Sequence, residues 1–174
     1  NKIEINNISF SYDSNKNNVL ENLNLQINKG DFIGFKGKSG AGKSTLIDLI
    51  VGILKPQSGE IIVDGVNINE CEENWRDKIG YVPQNVFLID DTIKKNICLG
   101  LKEEDIDPTN LSRAVELSEL NDFINKLPQG IDSKIGENGL QISGGQKQRI
   151  GIARALYLNP ELIILDESLN AVDL

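Results

Sequence analysis

The chain has few cysteines, no basic excess and no long apolar run, and each shortage excludes something. Its two cysteines, Cys71 and Cys98, fit no metal-ligand spacing and suggest no disulfide framework, which points to a reducing compartment. No apolar run approaches the roughly 20 residues that a membrane-spanning helix needs. Neither an initiator methionine nor a signal-peptide pattern is present, and the sequence is expected to be a piece of something longer. A formal net charge of −8 argues against a nucleic-acid surface, which would need a basic patch. Internal repeats, low-complexity tracts and heptad runs are also missing. What remains is an ordinary soluble composition, 39% hydrophobic and 25% charged, over 174 residues, enough for one domain with a sizeable core.

Apolar residues alternate in "KIEINNISFSY" (2–12) and "LNLQI" (23–27), which predicts antiparallel strands with one buried face. "DFIGFKG" (31–37) reads as a short apolar strand running into a glycine loop. "KSTLIDLIVGILKP" (43–56) is apolar on most faces and predicts a buried helix ending at Pro56. "GEIIVDG" (59–65) and "IGYVPQ" (79–84) read as further strands. Beyond residue 85, "DDTIKKNICLGL", "TNLSRAVELSELNDFINKL" and "SGGQKQRIGIARALY" read as helices separated by loops at "EDIDP" and "LPQGID". Asp91 or Thr92 would cap the first, Thr109 or Asn110 the second, and Ser143 the third. "ELIILDE" (161–167) returns to a buried strand with an acidic end. The pattern predicts a single α/β domain: a core from 1–84 and 159–174, and a helical subdomain over 85–158.

Two stretches carry chemistry. Gly37-Lys38-Ser39-Gly40-Ala41-Gly42-Lys43-Ser44, followed by Thr45, fits the P-loop pattern in full, after an expected strand and before an expected helix. Its glycines let backbone N–H groups approach phosphates in conformations closed to bulkier residues. Lys43 would reach the β- and γ-phosphates, the Ser44 hydroxyl would bind Mg2+, and the helix start adds its positive dipole end. In "LIILDE", four apolar residues bury a strand from which Asp166 emerges to hold the metal's water shell. Glu167, one residue on, is placed to polarise an attacking water as general base.

With "ISGGQ" (142–146) following the P-loop and preceding the acidic strand, essentially the whole chain resembles the nucleotide-binding domain of ATP-binding cassette (ABC) proteins. Ser143, Gly144, Gly145 and Gln146 match that family's signature motif, with Ile142 in place of Leu. The resemblance implies a P-loop NTPase (RecA-like) core with an antiparallel β subdomain and an α-helical signature subdomain. It also implies ATP and Mg2+ as ligands. Tyr12 would stack on adenine, Gln84 would sense Mg2+ and the attacking water, and Asp173 in "SLNAVD" would position the partner's site. Ser143 and Gly145 would complete the γ-phosphate shell of a second nucleotide-binding domain in a head-to-tail homodimer or heterodimer, so the two phosphate-binding helix starts serve different sites.

The resemblance also locates a gap. Family members carry a histidine beyond the "SLNAVD" position, and this chain contains no His. The chain is therefore expected to stop short of that position, to bind Mg-ATP and to turn it over poorly. "YVPQNVFLIDDTIKKNI" and "LPQGIDSKIGENGLQISGG" resemble exporter-type domains, although Asn138 stands where Arg is common. The expectation is an ATPase domain that powers transport, works with transmembrane domains of the same transporter at the cytoplasmic face of the cell (inner) membrane, and binds no nucleic acid. The rivals are a soluble ABC ATPase, against which the acidic charge and missing heptads speak, and a nucleotide-gated dimerisation module, against which Glu167 speaks.

Overall fold

The alternation at 2–10 changes phase: Ile3 and Ile5 fall on one parity, Ile8 and Phe10 on the other, yet all four are buried. A regular strand cannot point both pairs inward. In the computed structural model, which describes residues 2–13, 18–70, 72–136 and 141–166, the change of phase is absorbed at Asn7 (φ 50°), where the strand register shifts. The chain divides into two compact units, Asn1–Asp77 and Lys78–Leu174.

The first unit is built on a four-stranded antiparallel sheet of β1 (Lys2–Phe10), β2 (Leu20–Asn28), β3 (Ser58–Val63) and β4 (Val66–Asn67), in the order β2-β1-β3-β4. Ile5 of β1 lies beside Ile61 of β3, and both are almost fully buried. Helix α1 (Lys43–Val51) buries Leu46, Leu49 and Ile50. It stops before the expected Pro56, because Gly52 takes the left-handed conformation and its N–H bonds back to Leu49 O at 3.2 Å. Trp75, on α2 (Glu72–Arg76), covers that end: its indole N–H donates to Ile50 O at 2.7 Å.

One expected strand does not form. Residues 31–37 make no ladder, and Phe32, Ile33 and Phe35 are 87%, 39% and 38% exposed. Apolar composition gives only a preference for the extended state. A strand also needs a neighbour for its N–H and C=O groups, and neither edge of the four-stranded sheet takes this segment.

In the second unit, β5 (Ile79–Val82) pairs in parallel with β8 (Leu162–Leu165), as a strand-helix-strand crossover requires. The residues between them include β6 (Asp91–Thr92), α3 (Ile93–Ile97), α4 (Pro108–Leu117), α5 (Asn121–Ile124), β7 (Lys134–Ile135) and α6 (Gly144–Tyr157), with β6 and β7 forming a two-residue antiparallel ladder. Thr92 caps α3, its hydroxyl accepting from Lys95 N at 3.1 Å. The next cap is Asp107 rather than Thr109 or Asn110: its carboxylate accepts from both their N–H groups, at 2.7 and 3.1 Å, with Pro108 at the first helical position. The single helix expected over 109–127 is two. α4 ends at Ser118, Glu119 turns at φ 54°, and Leu120 is thereby carried fully into the core. The two expected loops each contain a 3-10 turn, at Glu103–Asp105 and Gly130–Asp132.

α6 is packed on two sides. Ile150, Ala153 and Tyr157 join α3, α4 and α5 in the main apolar cluster, while Ala155 joins Val82 and Val86 in a second one. The second contact is very close. A Cβ on Gly80 would lie 2.6 Å from Ala155 O, and one on Gly151 would lie 2.5 Å from Val86 Cγ2. Gly151→Ala should therefore destabilise the protein by about 1–2 kcal/mol, since overpacking costs about 1–3 and helix propensity returns up to about 1. Urea unfolding checks this; an unchanged midpoint would show that Val86 gives way.

An ion cluster ties α3 to both 3-10 turns. Lys94 Nζ lies 2.6 Å from Glu103 Oε1 and 2.8 Å from Asp132 Oδ1, and Lys95 Nζ lies 3.1 Å from Glu103 Oε2. The hydrogen bond from Lys94, then that from Lys95, hold the Glu103 carboxyl below its ordinary pKa. Bonds to Asp132 and then Glu103 push the Lys94 ammonium up. A lowered carboxylate stabilises above its unfolded pKa and loses that contribution as pH falls through its folded one. A raised ammonium stabilises below its unfolded pKa and loses its contribution as pH rises through the folded one. Glu103→Gln should thus lower the thermal midpoint at neutral pH. The deficit should vanish on acidification through the lowered Glu103 pKa, and shrink in about 1 M salt, where screening acts within about 3 Å. Circular dichroism melts of both proteins across pH read this directly.

Candidate functional site

In the first unit the P-loop is set by Gly42. Its φ of 85° starts α1 without a side-chain cap, and its carbonyl accepts the first helical bond, from Leu46 N at 2.9 Å. The N–H groups of Lys43, Ser44 and Thr45 lie ahead of that bond, where helical geometry offers them no partner. A Cβ on Gly42 would press within 3.2 Å of Leu20 Cδ2, Val19 O and Val19 Cγ1, so space as well as backbone angle demands glycine.

Residues 37–41 are exposed, with a turn closed by Ala41 N donating to Lys38 O at 3.1 Å. Lys43 arches over this loop, its ammonium donating to Gly37 O at 2.9 Å and Lys38 O at 3.2 Å. Ser44 is exposed beside it. Tyr12 is brought to the same helix, its hydroxyl 3.0 Å from the buried Thr45 Oγ1. Its ring is 66% exposed and packs edge-on against Phe10, with centroids 5.1 Å apart, so it is a surface ring rather than a core one. Gly37, Lys38, Ser39, Gly40, Ala41 and Tyr12 thus cluster around one helix start.

In the second unit the parallel pair brings Asp166 and Gln84 to one sheet end. Leu165 pairs with Val82, Asp166 N donates to Val82 O at 3.0 Å, and Gln84 follows two residues later, exposed. The Tyr81 hydroxyl donates to Asp166 Oδ2 at 3.1 Å. The carboxyl ends of parallel strands are where open α/β sheets place ligands.

Ser143 begins α6 with a reciprocal cap: its hydroxyl accepts from Gln146 N at 3.2 Å, and its own N–H donates to Gln146 Oε1 at 2.8 Å. The Gln146 side chain therefore serves the helix start itself, while Ser143 and Gly144 stay exposed and Gly145 is half-buried. Glu167 and Asp173 lie outside the described residues, as do Asn138 and its neighbours.

Two polar side chains escaped the sequence reading. Asn96 is fully buried: its Oδ1 accepts from Ile89 N at 2.8 Å and its Nδ2 donates to Ile89 O and Thr92 O, both at 3.0 Å. Arg154 donates from Nε to Asn96 O at 2.8 Å and from Nη2 to Phe87 O at 2.9 Å. Burial pushes its pKa down without discharging it. A signal was present for Arg154, which interrupts the apolar stretch "GIARALY", whereas Asn96 follows two lysines in "TIKKNI" and is not singled out there.

Comparison with known proteins follows the same residues. A family model described as ABC transporter matches residues 20–170. The chain is 43% identical over 174 residues to a Staphylococcus aureus (strain NCTC 8325 / PS 47) protein named as a putative multidrug export ATP-binding/permease protein, covering 99% of this chain and 30% of that one. It is 42% identical over 173 residues to ABC transporter B family member 21 of Arabidopsis thaliana, covering 98% of this chain and 13% of that protein. Among solved structures, a bacterial Atm1-family ABC exporter with ATP bound superposes with a TM-score of 0.87 at 36% identity, over 99% of this chain and 30% of that one. The chain thus spans less than a third of the length of each of these proteins.

Ser143→Ala deletes the hydroxyl half of the cap on α6 and leaves the bond from the backbone N–H of residue 143 to Gln146 Oε1. It should cost about 1 kcal/mol, lowering the thermal midpoint by about 2–4 °C in a chain of this size. Ser143→Asp, which keeps an acceptor, should recover most of that loss in the same melt.

Proposed function

Since the chain belongs to the ABC transporter family and has the mixed α/β fold of that family's nucleotide-binding domains, we propose that it binds Mg-ATP and hydrolyses it to power an exporter-type transporter. The observation that carries this reading is the start of α1, where Lys43 spans an exposed glycine loop in front of an uncapped helix. The residues that would meet the metal are a hydroxyl (Ser44), an amide (Gln84) and a carboxylate (Asp166). All are oxygen donors of the kind Mg2+ accepts, and among the described residues no cluster of three acidic, His or Cys side chains competes as a protein cage. When bound, the ion would neutralise phosphate charge during transfer.

The remaining steps belong to the chain. Backbone N–H groups of 37–45 and the Lys43 ammonium hold the phosphates, and Tyr12 offers its exposed ring to the adenine. Glu167 takes a proton from water as the water oxygen bonds to the γ-phosphorus. The bond from that phosphorus to the β–γ bridging oxygen breaks, releasing ADP and phosphate. Ser143 and Gly145, with Gly144 and Gln146 shaping the turn, cap the γ-phosphate bound to a second nucleotide-binding domain, and Asp173 helps to position that site.

Residues 1–84 and 159–174 act as the nucleotide-binding core and 85–158 as the signature subdomain. The wider reading places this soluble domain against transmembrane domains at the cytoplasmic face of the inner membrane. With no histidine to contact the γ-phosphate, the 174-residue chain by itself should bind Mg-ATP yet turn over slowly.

Glu167→Gln should remove the base without disturbing binding, and so trap an ATP-dependent dimer. Light scattering should show the mass double on adding Mg-ATP and return to the monomer when the nucleotide is washed out. A variant that stays monomeric under saturating Mg-ATP would argue against Glu167 as the base.

A further inference from the structure

The short segment Pro83-Gln84-Asn85 runs between two anchored residues. Val82 is fixed in the β5–β8 ladder, and Val86 is buried against Gly151 of α6. Past Val86, the Asp91 N–H donates to Ile89 O and Leu88 packs against the apolar clusters, and side chains from two helices add to that hold. Arg154 of α6 takes the Phe87 carbonyl, and Asn96 of α3 takes both the N–H and the C=O of Ile89. The two clamps are joined, because Arg154 also takes the main-chain carbonyl of Asn96. Phe87 itself is 69% exposed.

This use of Arg154 is costly. Its guanidinium is half-buried, and its hydrogen bonds run to main-chain carbonyls. Burying a charge is unfavourable unless the bonds it makes matter to the backbone they hold. Asn96, buried completely, has all of its side-chain bonding spent on residues 89 and 92. Neither residue contacts the P-loop, Asp166 or Ser143 in any bond described above.

We propose that Arg154 and Asn96 are positioning residues for Gln84, fixing the far end of its loop to the helix that begins at Ser143. This rests on the ATPase reading above. With the Phe87 carbonyl released, the segment between Val86 and Ile89 loses its hydrogen bond to α6, and Gln84, two residues before Val86, loses the register that this bond helps to set. Displacement of a positioned group by about 1 Å can cost a hundredfold in rate. Nucleotide affinity should be spared, because the P-loop and Tyr12 belong to the other unit and are held by their own bonds.

The test compares wild type, Arg154→Met and Arg154→Lys in the intact protein, by steady-state ATPase kinetics and by amide hydrogen exchange over residues 85–92. Arg154→Met should lower kcat about tenfold, leave KM for ATP within about twofold, and speed exchange in 85–92 while leaving β1 unchanged. Arg154→Lys, which keeps one donor, should recover part of both effects, and it carries the test if the Met variant does not fold. Unchanged exchange in 85–92, or faster exchange with kcat intact, overturns the proposal. A wild-type protein that hydrolyses no ATP overturns the ATPase reading and the proposal with it. That failure is recognisable because exchange in 85–92 still rises in the variant.

Discussion

The constraint on which the second unit depends is the close approach of α6 to β5 and to the loop after it. Two glycines on facing elements, Gly80 and Gly151, leave no room for a methyl group at either contact. That closeness lets Ala155 seal one apolar cluster with Val82 and Val86, while the opposite side of the same helix fills the larger cluster with Ile150, Ala153 and Tyr157. A helix buried on two sides has few residues to spare for polar work. Those it does spare include Ser143 and Gln146 at its start and Arg149 and Arg154 farther along. Arg149 donates to Glu119 Oε2 at 2.6 Å and to Ser118 O at 3.2 Å, bracing the turn between α4 and α5. Packing thus decides where the chemistry can sit.

The P-loop follows a different logic. Its conformation is held by one lysine bonding to two carbonyls of its own loop, by the turn bond from Ala41 N to Lys38 O, and by Gly40 and Gly42 in the left-handed region. The lysine bonds are exposed, as a loop that must exchange its internal bonds for bonds to phosphate requires, while Gly42 is buried at the helix start. The Tyr12 hydroxyl bond to Thr45 is the firmer link, because Thr45 is buried and α1 is packed through Leu46, Leu49 and Ile50. Tyr12 is therefore positioned through the helix and not through the loop.

Local signals were legible in the sequence where a short-range rule decides the outcome. Ser143, Thr92 and the glycine pattern of 37–42 could each be read from neighbours within four residues, and each sits where that reading put it. Legibility failed where a distant partner decides. Residues 31–37 have the composition of a strand, but composition cannot supply a neighbour to pair with. The helix expected over 109–127 has the right period throughout, yet the demand that Leu120 be buried breaks it at Glu119. The partners of Arg154 and Asn96 were hidden for the same reason, since nothing in the sequence around either residue names the main-chain groups it binds. Recognition of the family rested on motifs, and motifs are the local kind of signal.

The two phosphate-type helix starts, similar in sequence, differ in physical state. α1 begins at a glycine with no side chain to satisfy its first N–H groups, so an anion there competes with water alone. α6 begins at a serine whose hydroxyl takes the Gln146 N–H, while Gln146 takes the N–H of Ser143. The cap leaves Gly144 and Gly145 as the first residues whose N–H groups face outward without a side-chain acceptor. Such a start suits an auxiliary contact to an anion whose main charge is met elsewhere. The bare start of α1, backed by a lysine, offers an anion the N–H groups of Lys43, Ser44 and Thr45, whereas the cap on α6 takes that of Gln146 and leaves those of Gly144 and Gly145. That asymmetry supports the proposed sharing of each nucleotide between two domains, with one helix start binding and the other closing.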